Sequence, residues 1–206
     1  MFDPKSIDSR QLDFFRELEN IGAGHAATAL SLMLSHEIGL RVPKAQFCEY
    51  SQMCDILKGP ENVVAGLLVG IIGEINGFIL LVMDEEDALK LAGSLLGDMA
   101  NNMPEDELRE MQISAMKEMA NILIGSYITA ISELTNLKIE ASVPDLVFDM
   151  AGAVMNLLAV TSVNCGDNVM FMETEFIDND QSLYGHFFLI PDAESYKTLI
   201  RQMEAY

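Results

Sequence analysis

Two short stretches of this chain carry a carboxylate and a carboxamide at identical spacing, Glu17 with Asn20 and Glu118 with Asn121. A carboxamide has no usable pKa, so neither Asn can act as a general base. It can orient a water molecule, donating through its NH2 or accepting through its oxygen. That role matters in phosphoryl transfer, where an in-line water must be positioned and there is little covalent chemistry for the catalyst to do. The Glu is ill suited to touch a phosphoryl group, because like charges repel, and better suited to pair with a lysine. The chain has no Walker loop, no GxSxG and no metal-spaced pair among His25, His36 and His186. The electrostatic half of such a reaction must then come from the substrate. A protein carrying its own phosphoryl group and its own metal meets that requirement.

Helices must position these groups. At about 100° per residue, positions i, i+4 and i+7 fall on one narrow arc, so Asp13, Glu17 and Asn20 share a face, as do Ser114, Glu118 and Asn121. Pro43 and Pro144 follow the two Asn residues at equal distance. All four landmarks recur at one offset of about one hundred residues, the scale of an internal repeat. In a single copy the stripe would read as the solvated face of a half-buried helix, and the recurrence favours a function. Gly24 and Gly125 lie on the same face one turn further along. A helical glycine costs about 1 kcal/mol, which predicts a close approach there, either by another helix of this protein or by a docking partner. Gly22-Ala23-Gly24 sits inside a helix rather than after a strand, so a phosphate-loop reading is weak.

At 206 residues, with 50% hydrophobic residues, the chain can bury a substantial core. Its net charge of -20 argues against nucleic acid and membrane surfaces as partners and favours basic patches on proteins, or simply solvation. Cys48, Cys54 and Cys165 have no CxxC spacing and no signal peptide precedes them, so they are expected to be reduced thiols in a cytoplasmic protein. The apolar run 63–83 is broken by Glu74, Asn76 and Gly77, which makes it a hairpin rather than a membrane span.

In chain order, the periodicity predicts a long helix from Ser6 or Ser9 to about 36–39, stopped by Gly39, then a strand over 44–50 after Pro43 and a short helix over 53–58. The hairpin 63–72 and 78–83 follows, and then a helix from Asp84 to Leu96. After a linker at 97–103 the order repeats, with a helix at 105–134, a strand at 146–148, a short helix at 151–158, strands at 169–176 and 183–190, and a last helix from Asp192. The later offsets (Gly77 with Gly185, Asp84 with Asp192) place an insertion near 164–168 in the second copy. The fold class expected is α+β, a mostly antiparallel sheet flanked by two long motif-bearing helices. It forms one domain over 1–206, built of pseudo-twofold halves at about 1–100 and 101–206.

The pattern Asp/Ser-x3-Glu-x2-Asn-x22-Pro, present as Asp13, Glu17, Asn20, Pro43 and again as Ser114, Glu118, Asn121, Pro144, resembles the signature of the CheC family, phosphatases of the chemotaxis response regulator CheY. The resemblance covers essentially the whole chain. Two motifs make it similar to CheC-type members rather than to single-motif CheX, and it is expected to lack the further switch domain of FliY. The resemblance implies that Glu17 and Glu118 pair with the regulator's lysine, and that Asn20 and Asn121 align water against its aspartyl phosphate. Asp13 and Ser114 would cap or orient, and Pro43 and Pro144 would end the connection into a strand. Mg2+ would belong to the regulator, with no cofactor or metal bound by this chain. The resemblance also implies binding of the receptor deamidase CheD, through a small-residue face after Pro144 formed by Asp149, Ala151, Gly152, Ala153 and Val154; a core helix is the alternative for that piece. The chain is expected to be a monomer. The competing function is a non-catalytic adaptor that sequesters a partner or sits in the flagellar switch.

Overall fold

In a computed structural model, the described residues are 9–34, 36–161, 168–178 and 181–205. The first helix, α1 (Ser9–Leu34), buries Phe14, Leu18, Ala26 and Leu30, one residue per turn. It ends before the predicted stop, because Gly39 opens a strand instead, β1 (Gly39–Glu49). A single turn over Tyr50–Gln52 leads into α2 (Met53–Ile56). The hairpin β2 (Val63–Gly73) and β3 (Gly77–Asp84) follows, then α3 (Glu85–Leu96) and a 3-10 segment over Gly97–Asn102. The second half supplies α4 (Glu105–Thr135), β4 (Ile139–Ala141), β5 (Asp145–Met150), α5 (Ala151–Thr161), β6 (Asn168–Asp178), β7 (Gln181–Pro191) and α6 (Ala193–Ala205). The insertion expected at 164–168 lies largely outside the described residues, and Asn168 already belongs to β6.

All strand pairings are antiparallel, in the order β1-β6-β7-β3-β2, with β4 and β5 both on the outer side of β2. Exchanging β1, β2 and β3 with β4/β5, β6 and β7 returns the same order, the pattern an internal twofold demands. Both motif prolines lie on the edges of the sheet. Pro43 is inside β1, not ahead of it as the sequence suggested. It sits at the register shift between Arg41 and Lys44, where an edge strand tolerates a residue with no N–H to donate. In the second copy the edge is interrupted outright. Ser142, Val143 and Pro144 separate β4 from β5, and Gly70 and Ser142 close the gap with 2.9 Å bonds. Gly73 (φ 143°) and Gly77 (φ 150°) bracket the β2–β3 turn, where a Cβ would come within 2.2 Å of the carbonyl oxygens of Lys138 and Ile190 respectively.

One face of the sheet carries α1, α4, α3 and α6 over the main core, from Phe14 and Leu18 through Tyr127 to Met172 and Phe187. The other face carries α2 and α5 over a smaller cluster that includes Cys48, Met53, Val82, Val154 and Phe188. Burial pushes the Cys48 thiol up to about 11, against a smaller opposing effect of Lys44, so it packs as a neutral side chain. Asp84 is partly buried, which alone would raise its pKa. The Lys58 ammonium and the Asn62 amide (2.8 Å) outweigh that and lower it.

His186, on β7 beside Phe171 and Phe188, has a buried Nδ1 with no hydrogen-bond partner among the described residues. Burial lowers its pKa from the ordinary 6.5, and Lys58 lowers it further. The carboxylates of Glu173 and Asp84 oppose this and do not reverse it. The unfolded chain therefore binds the proton more readily than the fold does. The stability this contributes is fully present above 6.5 and is lost as pH falls through the depressed value. Chemical denaturation between about pH 7 and pH 5 should show a shallower loss of stability for His186→Phe than for the unaltered protein.

Candidate active site

Each motif stripe faces away from the core. On α1, Asp13 and Asn20 are exposed and Glu17 is half-buried, while Phe14 and Leu18, which flank the stripe on its inner side, are buried. On α4, Ser114, Glu118 and Asn121 are all exposed, backed by the buried Met116, Met119, Ala120 and Leu123. The apolar residues fix each helix's rotation about its axis, and the 3.6-residue period then turns the polar groups outward. Both carboxamides are thus presented to solvent on rigid helices of three turns or more, with a carboxylate one turn earlier on the same face.

Among the described residues, the two glycines on these stripes do not meet another helix, and a Cβ at Gly24 or at Gly125 would find nothing within 4 Å. The intramolecular close approach predicted for that face occurs instead at Gly22, on the inner side, where a Cβ would stand 2.6 Å from the Tyr127 ring. One turn beyond each open glycine is a threonine absent from the sequence-level site. Thr28 donates to the Gly24 carbonyl at 2.9 Å and Thr129 to the Gly125 carbonyl at 2.8 Å, which turns each hydroxyl back onto its helix. Their recurrence at the same offset as the Glu and Asn was the available signal. Asp13 pairs with Arg16 at 3.3 Å, and no described residue stands in that relation to Ser114, which is a hydroxyl rather than a carboxylate.

The segment after Pro144 divides differently. Asp149 is exposed and Gly152 and Ala153 are half-buried, but Ala151 and Val154 are buried in the smaller core cluster. Gly152 lies under Pro60, which would be 3.1 Å from a Cβ there. The N–H groups of Ala151 and Gly152 donate to the carbonyls of Asn62 and Pro60 at 2.8 and 2.9 Å, tying the start of α5 to the turn that precedes β2. Among the described residues no group of three His, Cys, Asp or Glu side chains is placed to hold a metal ion. None of the described helices is long and apolar enough to cross a membrane.

Comparison with known proteins shows the family and the fold. Residues 65–165 match the protein family described as Chemotaxis phosphatase CheX. The chain is 32% identical over 195 residues to CheY-P phosphatase CheC of Bacillus subtilis (strain 168), covering 94% of this chain and 93% of that protein. It is 30% identical over 138 residues to the Flagellar motor switch phosphatase FliY of the same organism, covering 67% of this chain and 35% of that one. Thermotoga maritima FliY has the same fold, with a TM-score of 0.73 at 22% identity over 97% of this chain and 98% of that one. The α+β fold is therefore that of the chemotaxis phosphatases and their flagellar-switch relatives. With its two motifs and its match over nearly the full length of a CheC protein, the chain belongs to the CheC family.

Proposed function

We infer that this protein hydrolyses the aspartyl phosphate of a CheY-like response regulator. Asn20 and Asn121 each orient the attacking water. Glu17 and Glu118 each pair with the regulator's lysine, and the regulator brings the Mg2+. The observation that supports this most is the outward placement of both amides on rigid helices, each with a carboxylate one turn away and, among the described residues, nothing within 4 Å of a Cβ on the glycine beyond. The reaction asks the protein for positioning rather than covalent chemistry, since the acceptor pocket already holds the phosphoryl group and the metal. Asp13 and Ser114 orient the stripe, and Pro43 and Pro144 shape the sheet edges beneath it. We take the chain as one domain of two pseudo-symmetric halves, monomeric, with one site on each half. The deamidase CheD is the second partner. Of the segment assigned to it, Asp149, Gly152 and Ala153 are accessible, while Ala151 and Val154 act by holding the helix in place.

The test is a phosphate-release assay with a purified, phosphorylated regulator and Mg2+. Phosphate loss faster than the regulator's spontaneous decay is expected, in proportion to the amount of this protein added. Complex formation with unchanged decay would mean an adaptor instead.

A further inference from the structure

Lysine and arginine are scarce in this chain, 12 against 32 Asp and Glu, yet a cation directly precedes each motif Glu, Arg16 in one copy and Lys117 in the other. Residues four apart on a helix are neighbours, about 5–6 Å between Cβ atoms. Arg16 is therefore beside Asn20, and Lys117 beside Asn121. The two cations stand in different surroundings. Arg16 Nη1 donates to Asp13 Oδ1 at 3.3 Å, with both side chains exposed. The residue equivalent to Asp13 is Ser114, and Lys117 has no ion-pair partner among the described residues. Charge along the two stretches differs in the same sense. Asp13, Glu17 and Glu19 outweigh Arg16 in the first, while Lys117 balances Glu118 in the second.

We propose that Arg16 and Lys117 are substrate-positioning cations that attract the phosphoryl-bearing pocket onto the adjacent Asn, and that the unpaired Lys117 makes the second copy the stronger docking site. This rests on the phosphatase reading of the same stripes. A phosphorylated side chain carries close to two negative charges, and the carboxylates that hold Mg2+ beside it keep such a pocket anionic in spite of the metal and the lysine. A cation one turn from the amide that approaches it acts on encounter and on the docked complex alike. An acidic protein has few ways to make that approach favourable. At the first copy Asp13 cancels the field of Arg16 whether or not the exposed pair holds tightly, because both charges lie within one Debye length of the docking partner.

Single-site proteins test this. In an Asn20→Ala background, where only the second copy acts, Lys117→Ala should raise KM for the phosphorylated regulator about 10-fold and change kcat less than about 2-fold. Lys117→Arg should keep KM near its starting value, and the difference should shrink as salt is raised. In an Asn121→Ala background, Arg16→Ala should raise KM less, and Asp13→Ser should lower it. An unmoved KM for Lys117→Ala, or a shift that salt does not weaken, overturns the inference while leaving the phosphatase reading intact. If neither single-site protein accelerates phosphate loss at all, the phosphatase reading falls and this inference falls with it.

Discussion

Replacing both Asn20 and Asn121 with Ala should return phosphate loss to the regulator's spontaneous rate, a fall of about 100-fold or more from the accelerated reaction. Both side chains are exposed, so their removal leaves no cavity. Alanine is also the better helix former, and the melting temperature should not drop. Glu17 and Glu118 remain, so the regulator should still dock, and the loss should appear in kcat. A fall of this size in a protein that folds and binds normally has one source, the lost group that aligned the water. Retention of full turnover by the double variant would place the chemistry elsewhere.

The second large effect is on stability. Tyr127 is fully buried at the point where the two motif helices and the sheet meet. Its ring lies 4.7 Å from that of Phe187, tilted by 43°, and against Gly22 of the opposite helix. Tyr127→Ala should cost about 3–5 kcal/mol, lowering the melting temperature by roughly 10 °C in a chain of this size. The cost falls at the high end because Gly22 has no side chain with which to fill the space. Urea denaturation of the variant measures it directly. A loss below about 1 kcal/mol would mean that the helix pair is not anchored through this ring. Both sites depend on that anchor, since it holds the rotation that turns each Asn outward.

The motif helices were legible because amphipathic periodicity fixes both the helix and the face it shows. Once Phe14, Leu18, Met116 and Met119 were buried, the Glu and Asn could only point outward. The hairpin was legible from Glu74, Asn76 and Gly77 breaking an apolar run. Less was readable where pairing rather than periodicity defines an element. The three residues of β4 carry no pattern and exist as a strand because they meet Ile71–Gly73. Pro43 looked like a connector because only the tertiary fold reveals that β1 is an edge with a shifted register there. Periodicity likewise could not tell which glycine of Gly22 and Gly24 faces a neighbour, and small residues at 151–154 read equally well as a docking face or as core. The structure makes Ala151 and Val154 core.

Single-turnover phosphate loss from the regulator, measured for the unaltered protein and for Asn20→Ala and Asn121→Ala separately, addresses the central claim most directly. Two outward amides working independently predict that each variant keeps part of the acceleration, that the two residual accelerations add up to the whole, and that Asn121→Ala is the slower. Both single variants running at the speed of the unaltered protein would contradict it.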